Sequence, residues 1–135
     1  MKKKILFLCT GNSARSQLAE GLMRHLRGDE FEVFSAGTEP KGVHPKTIEV
    51  LREIGIDATG QTSKHIDDLP IREFDYIITL CGSAAQNCPV FFGKGVKTHH
   101  GFDDPAAVTG TDQEVLASFR KVRDEIKDFL LSFEA

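Results

Sequence analysis

The chain lacks the features that would suit it to a membrane, to nucleic acid or to a disulfide-stapled fold. It contains no tryptophan, one tyrosine and three cysteines among 135 residues. Its apolar runs are far shorter than a membrane span, and it has no long basic stripe of the kind that binds nucleic acid. An odd cysteine count argues against a framework of structural disulfides. We therefore expect a protein with neither a membrane nor a nucleic acid as its partner.

The N-terminal charges do not predict a secretion signal. Lys2, Lys3 and Lys4 precede the apolar run Ile5–Cys9, which is too short for such a signal and ends at a polar turn. We therefore expect a cytoplasmic protein. With 40% hydrophobic residues, the chain is long enough to bury a core of its own, and we predict a single domain over residues 1–135.

Short apolar runs alternate with helical patterns along the chain. The predicted strands are Lys4–Cys9, Phe31–Ala36, Tyr76–Leu80 and Lys94–His100. Apolar residues at helical spacing predict helices over Ser16–Arg27, Pro45–Ile54 and Asp112–Phe133. This alternation is typical of the α/β class, and it predicts a doubly wound domain with a four-stranded parallel sheet flanked by helices.

Chemically active side chains follow three of the predicted strands. Cys9 follows the first strand, Cys81 the third, and Asp103 and Asp104 the fourth. Ligands of open parallel sheets bind beyond the carboxyl ends of the strands. We therefore expect these side chains to lie close together at one edge of the sheet.

The segment from Cys9 to Ser16 has the composition of an anion-binding loop. Its small residues allow backbone amides to turn inward, and the helix that follows places its positive end at the same point. Arg15 can bind two oxygens of one anion, while Ser16 can donate a hydrogen bond to a Cys9 thiolate. The patterns of nucleotide-binding loops do not fit. We predict that Cys9 is a nucleophile and that a tetrahedral oxyanion is bound by Thr10, Gly11, Asn12, Ser13, Ala14 and Arg15.

Several motifs together resemble a known family over essentially the whole chain. The matching pieces are Cys9–Ser16, Ser35–Gly37, Thr79–Gly82, Cys88-Pro89 and Phe102–Ala106. They resemble the low-molecular-weight protein tyrosine phosphatase fold and, within it, the thioredoxin-coupled arsenate reductases. The anion loop alone leaves phosphatase and reductase open, whereas the two additional cysteines favour the reductase.

The resemblance implies a role for each active residue. Cys9 attacks arsenate, and Asp104, which stands directly before a proline, is the general acid, with Asp103 the lesser candidate. Cys81 then displaces arsenite from Cys9, and Cys88 takes over the disulfide, which thioredoxin reduces. The resemblance further implies a monomer in arsenic detoxification, with no metal or permanently bound cofactor. Phosphate and sulfate are expected to mimic the substrate, and weak phosphatase activity is expected beside the reduction.

The segment between Cys81 and Cys88 predicts a redox switch. Were it helical, the seven-residue spacing would separate the two Cα atoms by roughly 10 Å. A disulfide requires roughly 4.4–6.8 Å between its Cα atoms. We therefore hypothesise that the segment is helical when reduced and looped out when oxidised.

One position departs from the family in a way that bears on cation binding. Some members bind potassium beside the loop asparagine, and the matching positions here are Asn12, Glu20, Ser35 and Thr62. The carboxylate expected two residues later is replaced by Lys64. We hypothesise that the Lys64 ammonium, or no cation at all, fills this role.

Two other functions compete with arsenate reduction. A phosphatase acting on phosphotyrosine or small phosphate esters would share Cys9, Arg15 and Asp104, but it would need aromatic side chains beside the site, for which Phe102 is the nearest candidate. An oxyanion or redox sensor would need a reactive thiol but no acid.

The histidines suggest no metal site. Because adjacent strand residues point to opposite faces, we expect one of His99 and His100 to lie inward and the other outward. We expect His44 and His65 to be surface or capping residues.

Overall fold

Four parallel strands form one sheet in the order β2-β1-β3-β4. The computed structural model describes residues 2–80 and 94–134. The strands are β1 (Lys3–Leu8), β2 (Phe31–Ala36), β3 (Glu73–Thr79) and β4 (Lys94–His99). The predicted α/β class and four-stranded parallel sheet are confirmed. Strand β3 begins three residues before the predicted start at Tyr76, because its first residues alternate between exposed and buried rather than forming an apolar run.

Three α-helices accompany the sheet. They are α1 (Arg15–Arg27), α2 (Pro45–Arg52) and α3 (Asp112–Ser132), and two short 3-10 turns cover Ile66–Asp68 and Pro105–Ala107. Helix α2 ends two residues earlier than predicted, since the chain then turns through Gly55 with a positive φ of 83°. In the described part of the chain, no helix is both long enough and apolar enough to cross a membrane.

Strand β1 is buried on both faces, as its continuous apolar run predicts. Ile5 and Phe7 point to the side on which all three helices pack. Leu6 and Leu8 point to the other side, where the described residues that cover them include the segment 66–69. The strand therefore fixes the position of the residue that follows it, which is Cys9.

Helix starts differ in a way that matters for the site. His44 caps helix α2, because its ring Nδ1 accepts a hydrogen bond from the Lys46 amide. Helix α3 is capped by a reciprocal capping box between Thr111 and Glu114. Helix α1 begins after Ala14, which offers no side-chain cap. The first amides of α1 are therefore left for another partner.

The expectation of one inward and one outward histidine at the end of β4 is wrong, because both remain exposed. Strand β4 is an edge strand, and every one of its residues is exposed. The His99 Nδ1 lies 2.7 Å from Thr79 Oγ1, while the His100 ring contacts the rings of Phe102 and Phe129 at centroid distances of 4.7 and 4.2 Å. These rings cover only one side of His100 and leave it accessible.

Candidate active site

Backbone hydrogen bonds hold three carbonyl groups of the loop that follows β1. Three backbone amides of the segment 39–44 hold these carbonyls by hydrogen bonds of 2.9–3.1 Å. The pairs are Glu39 N to Thr10 O, Lys41 N to Gly11 O, and His44 N to Ser13 O. Because the N–H of a rigid trans peptide plane points opposite to its C=O, fixing these carbonyls turns the amides that follow them away from the segment 39–44.

The amides of this loop have no partner in the described protein. From Thr10 to Arg15, no backbone amide donates to an atom of residues 2–80 or 94–134. An unsatisfied row of amides at the positive end of a helix is a binding site for an anion. Such a row of amides can bind an oxyanion, and the oxyanion loop stays a prediction for this chain.

Asn12 holds the loop in a conformation that few residues adopt. Its φ is 44°, in the left-handed region where asparagine is better tolerated than most side chains. Its side-chain Oδ1 accepts a hydrogen bond of 2.8 Å from the Lys64 amide. Gly37 passes so close that an added Cβ would lie 2.4 Å from Thr10 O and 2.5 Å from Cys9 O. The Ser-Ala-Gly motif therefore owes its glycine to this close approach.

A buried chain of hydrogen bonds runs from Cys9 to Glu20. Ser16 Oγ lies 2.9 Å from Cys9 Sγ, so the predicted contact between these residues is present. Asn12 Nδ2 donates to Ser16 Oγ at 2.7 Å and to Ser35 Oγ at 3.0 Å. Ser35 Oγ in turn donates to Glu20 Oε1 at 2.5 Å. Asn12, Ser16 and Ser35 are fully buried and Glu20 is 4% exposed.

The directions of these bonds determine where the Ser16 hydrogen goes. The Ser35 hydroxyl donates to the Glu20 carboxylate, so its oxygen must accept from the Asn12 amide. The second Asn12 amide hydrogen goes to Ser16 Oγ. The single hydroxyl hydrogen of Ser16 is then available to Cys9 Sγ, which is the arrangement that stabilises a thiolate.

The Lys64 ammonium lies at the far end of this network. Its Nζ donates to Thr62 O at 2.7 Å and to Ser35 O at 3.2 Å, and it lies 3.8 Å from Glu20 Oε1. Arg24 binds the other Glu20 oxygen at 2.9 Å. Burial lowers the Lys64 pKa, an effect that Glu20 opposes and Arg24 reinforces. The Lys64 ammonium thus contacts Glu20, Ser35 and Thr62, three of the four positions expected around a bound cation. The backbone amide of Lys64 contacts the fourth position, Asn12.

The cavity that contains Cys9 has a volume of about 270 Å³. Arg15 Nη1 donates to the Phe102 carbonyl at 3.2 Å, and its Nη2 lies 3.7 Å from Asp104 Oδ2. The Asp104 Oδ1 accepts from the Ala106 amide at 3.0 Å, which fixes the carboxylate at the start of a 3-10 turn. The described residues lining the cavity are Cys9, Thr10, Gly11, Ser13, Ala14, Arg15, Lys41, His44, Asp104 and Ala106.

The two adjacent aspartates face different spaces. Asp104 lines the Cys9 cavity, as expected of side chains that follow the carboxyl ends of strands in one parallel sheet. Asp103 instead lines a separate groove of about 540 Å³ with His100, Phe102 and Phe129. The described lining of that groove contains no cysteine, so the smaller cavity is the one suited to nucleophilic chemistry.

Lys41 and His44 line the cavity although no sequence motif assigned them to it. The sequence around Lys41 has no recognisable motif, and only the hydrogen bond from its backbone amide to the loop brings Lys41 to the cavity. His44 was expected to be a surface or capping residue, and it is the cap of α2. Burial and the charge of Lys46 lower the His44 pKa, while Asp104 opposes them. The His44 ring is therefore neutral at neutral pH.

Two predicted residues cannot be compared with this geometry. Cys81 and Cys88 lie outside the described residues, and so does the predicted redox switch between them. Within residues 2–80 and 94–134, no group of three or more His, Cys, Asp or Glu side chains is arranged to hold a metal ion.

Comparison with known proteins agrees with the fold. Residues 4–134 match the family of low molecular weight phosphotyrosine protein phosphatases, and the chain belongs to that family. An arsenate reductase from Halalkalibacterium halodurans is 50% identical over 132 residues, covering 98% of this chain and 95% of the relative.

Solved structures agree as well. An arsenate reductase in the phosphate binding state is 33% identical with a TM-score of 0.74, covering 97% of this chain and 95% of the other. A thioredoxin-dependent arsenate reductase from Corynebacterium glutamicum is 32% identical with a TM-score of 0.60, covering 98% of this chain and 64% of that one.

Proposed function

We propose that the protein is an arsenate reductase that converts arsenate to arsenite with electrons from thioredoxin. The observation that carries this proposal is 50% identity with an arsenate reductase across almost the whole chain. The cavity supports it, because free amides, Arg15 and a cysteine surround one space. The physiological role that follows is arsenic detoxification by a cytoplasmic monomer, without nucleic acid or membrane as partner.

The first step is nucleophilic attack by Cys9 on arsenate. The loop amides and Arg15 bind the oxygens, while Ser16 supports the thiolate by a hydrogen bond. Asp104 protonates the departing oxygen, which leaves as water. The product is an adduct with an arsenic–sulfur bond on Cys9, in which arsenic is still in its oxidised state.

The remaining steps move two electrons from thiols to arsenic. Cys81 attacks the Cys9 sulfur, the sulfur–arsenic bond breaks, and its electron pair leaves with arsenic as arsenite. A Cys9–Cys81 disulfide remains. Cys88 attacks Cys81, releases the Cys9 thiolate and forms a Cys81–Cys88 disulfide. Thioredoxin reduces that disulfide, so the three cysteines of the chain have one role each.

The same site supports a weak phosphatase activity. Phosphate and arsenate share shape and charge, and the family is one of phosphotyrosine phosphatases. However, no Phe, Tyr or Trp is among the described residues lining the Cys9 cavity, so a phenyl ring has little to pack against. Phosphate and sulfate are therefore better regarded as mimics of the substrate.

Arsenate reduction coupled to thioredoxin and thioredoxin reductase tests the proposal. We expect the wild type to turn over many times and the Cys88→Ser variant to stop after about one turnover, because its disulfide stays on Cys9 and Cys81. Full multiple turnover by Cys88→Ser would exclude the relay. No arsenite from the wild type would exclude the reductase function itself.

A further inference from the structure

We propose that Lys41 is a substrate-binding residue that supplies a second positive charge to the Cys9 cavity and thereby favours small, doubly charged oxyanions. This inference deepens the proposed function and rests on it for the identity of the substrate. The position of Lys41, the charges around the cavity and the packing of Gly11 support it.

The backbone of Lys41 is fixed to the anion loop. Its amide donates to Gly11 O at 3.0 Å, and the amides of Glu39 and His44 on either side hold two more carbonyls of the loop. The intervening Gly42 has a φ of 85°, which lets the segment turn between these bonds. Lys41 therefore keeps a constant position relative to the amides that bind the anion.

The side chain of Lys41 packs over Gly11. Its Cδ lies 3.5 Å and its Cγ 3.8 Å from the position that a Cβ on Gly11 would occupy. The small residue thus leaves room for the lysine stem along the rim of the cavity, and Lys41 as a whole is exposed.

The charges in the cavity give this ammonium its importance. Arg15 and Lys41 are the two cationic side chains among its described lining residues, and Arg15 is already 3.7 Å from Asp104. A Cys9 thiolate takes up the remaining charge of Arg15 once Asp104 carries the proton that it donates. Lys41 forms no ion pair with any described residue, and His44 is neutral at neutral pH because burial lowers its pKa. Lys41 is therefore the cation available to an incoming anion.

The charge of Lys41 decides whether the side chains of the cavity attract a dianion. A phosphate-like anion carries about two negative charges at neutral pH. It approaches a Cys9 thiolate, while Asp104 carries the proton that it donates to the departing oxygen. Without Lys41, the Arg15 charge would only balance that thiolate. With Lys41, the side-chain charges of the cavity sum to one positive charge before the anion enters, and the loop amides add to the attraction.

Steady-state kinetics of Lys41→Gln and Lys41→Arg test this role. We expect Lys41→Gln to raise the KM for arsenate and the inhibition constant of inorganic phosphate together, by roughly fivefold for one partly exposed charge, with kcat within about twofold. Lys41→Arg should stay close to the wild type. Lys121→Gln on α3 removes the same charge from an exposed site and should change neither constant.

A second readout needs no turnover. Iodoacetate is anionic and iodoacetamide neutral, so the ratio of their rates at Cys9, followed by peptide mass spectrometry, reports the charge in the cavity. We expect Lys41→Gln to lower this ratio by roughly fivefold and Lys121→Gln to leave it unchanged.

Two results would overturn the role of Lys41. One is an unchanged ratio and unchanged constants in Lys41→Gln, and the other is a fall in kcat or in thermal stability with KM constant. If the wild type itself produced no arsenite, the reductase proposal would fail. The alkylation ratio would still decide the role of Lys41, and so would the degree to which inorganic phosphate slows the alkylation of Cys9.

Discussion

The front and the back of the anion loop are built from opposite kinds of contact. The front, which we define as the side facing the cavity, presents free amides, Arg15 and Asp104 with few mutual bonds. The back consists of Asn12, Ser16 and Ser35 together with Glu20, where the polar side chains are buried and hydrogen-bonded to one another. The front is left unsatisfied for a ligand, whereas the back is saturated by the protein.

Because of this difference, substitutions at the back and at the front of the loop should affect different measured properties. A buried polar group without a partner costs about 1–3 kcal/mol, so losses at the back should appear as lost stability. At the front, Asp104 can be changed without leaving a buried group unpaired, because it is substantially exposed. Its loss should appear in activity alone.

The largest difference between the front and the back of the loop is expected at Asp104, where activity should fall and stability should not. Asp104→Asn should lower kcat for arsenate reduction by roughly 10²- to 10⁴-fold, the usual contribution of a general acid. Its free energy of unfolding should hardly change, because asparagine can still accept from the Ala106 amide. Asp103→Asn is the matched control and should retain kcat within about twofold. Equal losses in both variants would refute the assignment of the acid.

An intermediate effect, on stability, is expected at Asn12. Asn12→Ala should lower the free energy of unfolding by about 2–3 kcal/mol, measured by chemical denaturation, since Lys64 N and the two buried hydroxyls lose their partner. Asn12→Gly keeps the positive φ and should recover about 1 kcal/mol of that loss. A glycine variant as stable and as active as the wild type would show that the back of the loop does not position Cys9.

The smallest effect is expected from exchanging potassium for sodium. Lys64 already places a positive charge against Glu20 and two carbonyls. At equal ionic strength, the two salts should therefore give the same activity and the same free energy of unfolding, within about 0.5 kcal/mol. A clear advantage of potassium in either measurement would contradict this role of Lys64.

The sequence predicted the fold wherever apolar residues were dense. Strand β1 and the inward face of α1 have patterns that only a buried strand and an amphipathic helix explain. The start of β3 was missed because exposed Glu73 and Asp75 interrupt its apolar residues. The exposure of His99 and His100 was missed because an edge strand has no sequence signature of its own.

The site was predictable where it is local in sequence. Cys9, Arg15 and Ser16 fall within one loop, so their spacing alone brings them together. Lys41 could not be predicted, since only its backbone bond to Gly11, formed in the folded chain, carries it to the cavity. The hydrogen bond that Glu20 accepts from Ser35 likewise depends on a tertiary contact.

A single-turnover measurement can show whether a disulfide passes from Cys9 to the other two cysteines. Fully reduced protein should be mixed with excess arsenate in the absence of thioredoxin, followed by quantification of arsenite and mapping of disulfides by mass spectrometry. We expect one arsenite per chain together with a Cys81–Cys88 disulfide, and none from Cys9→Ser. Absence of arsenite, or its formation with both Cys81 and Cys88 still reduced, would contradict a reductase that works by passing a disulfide from Cys9.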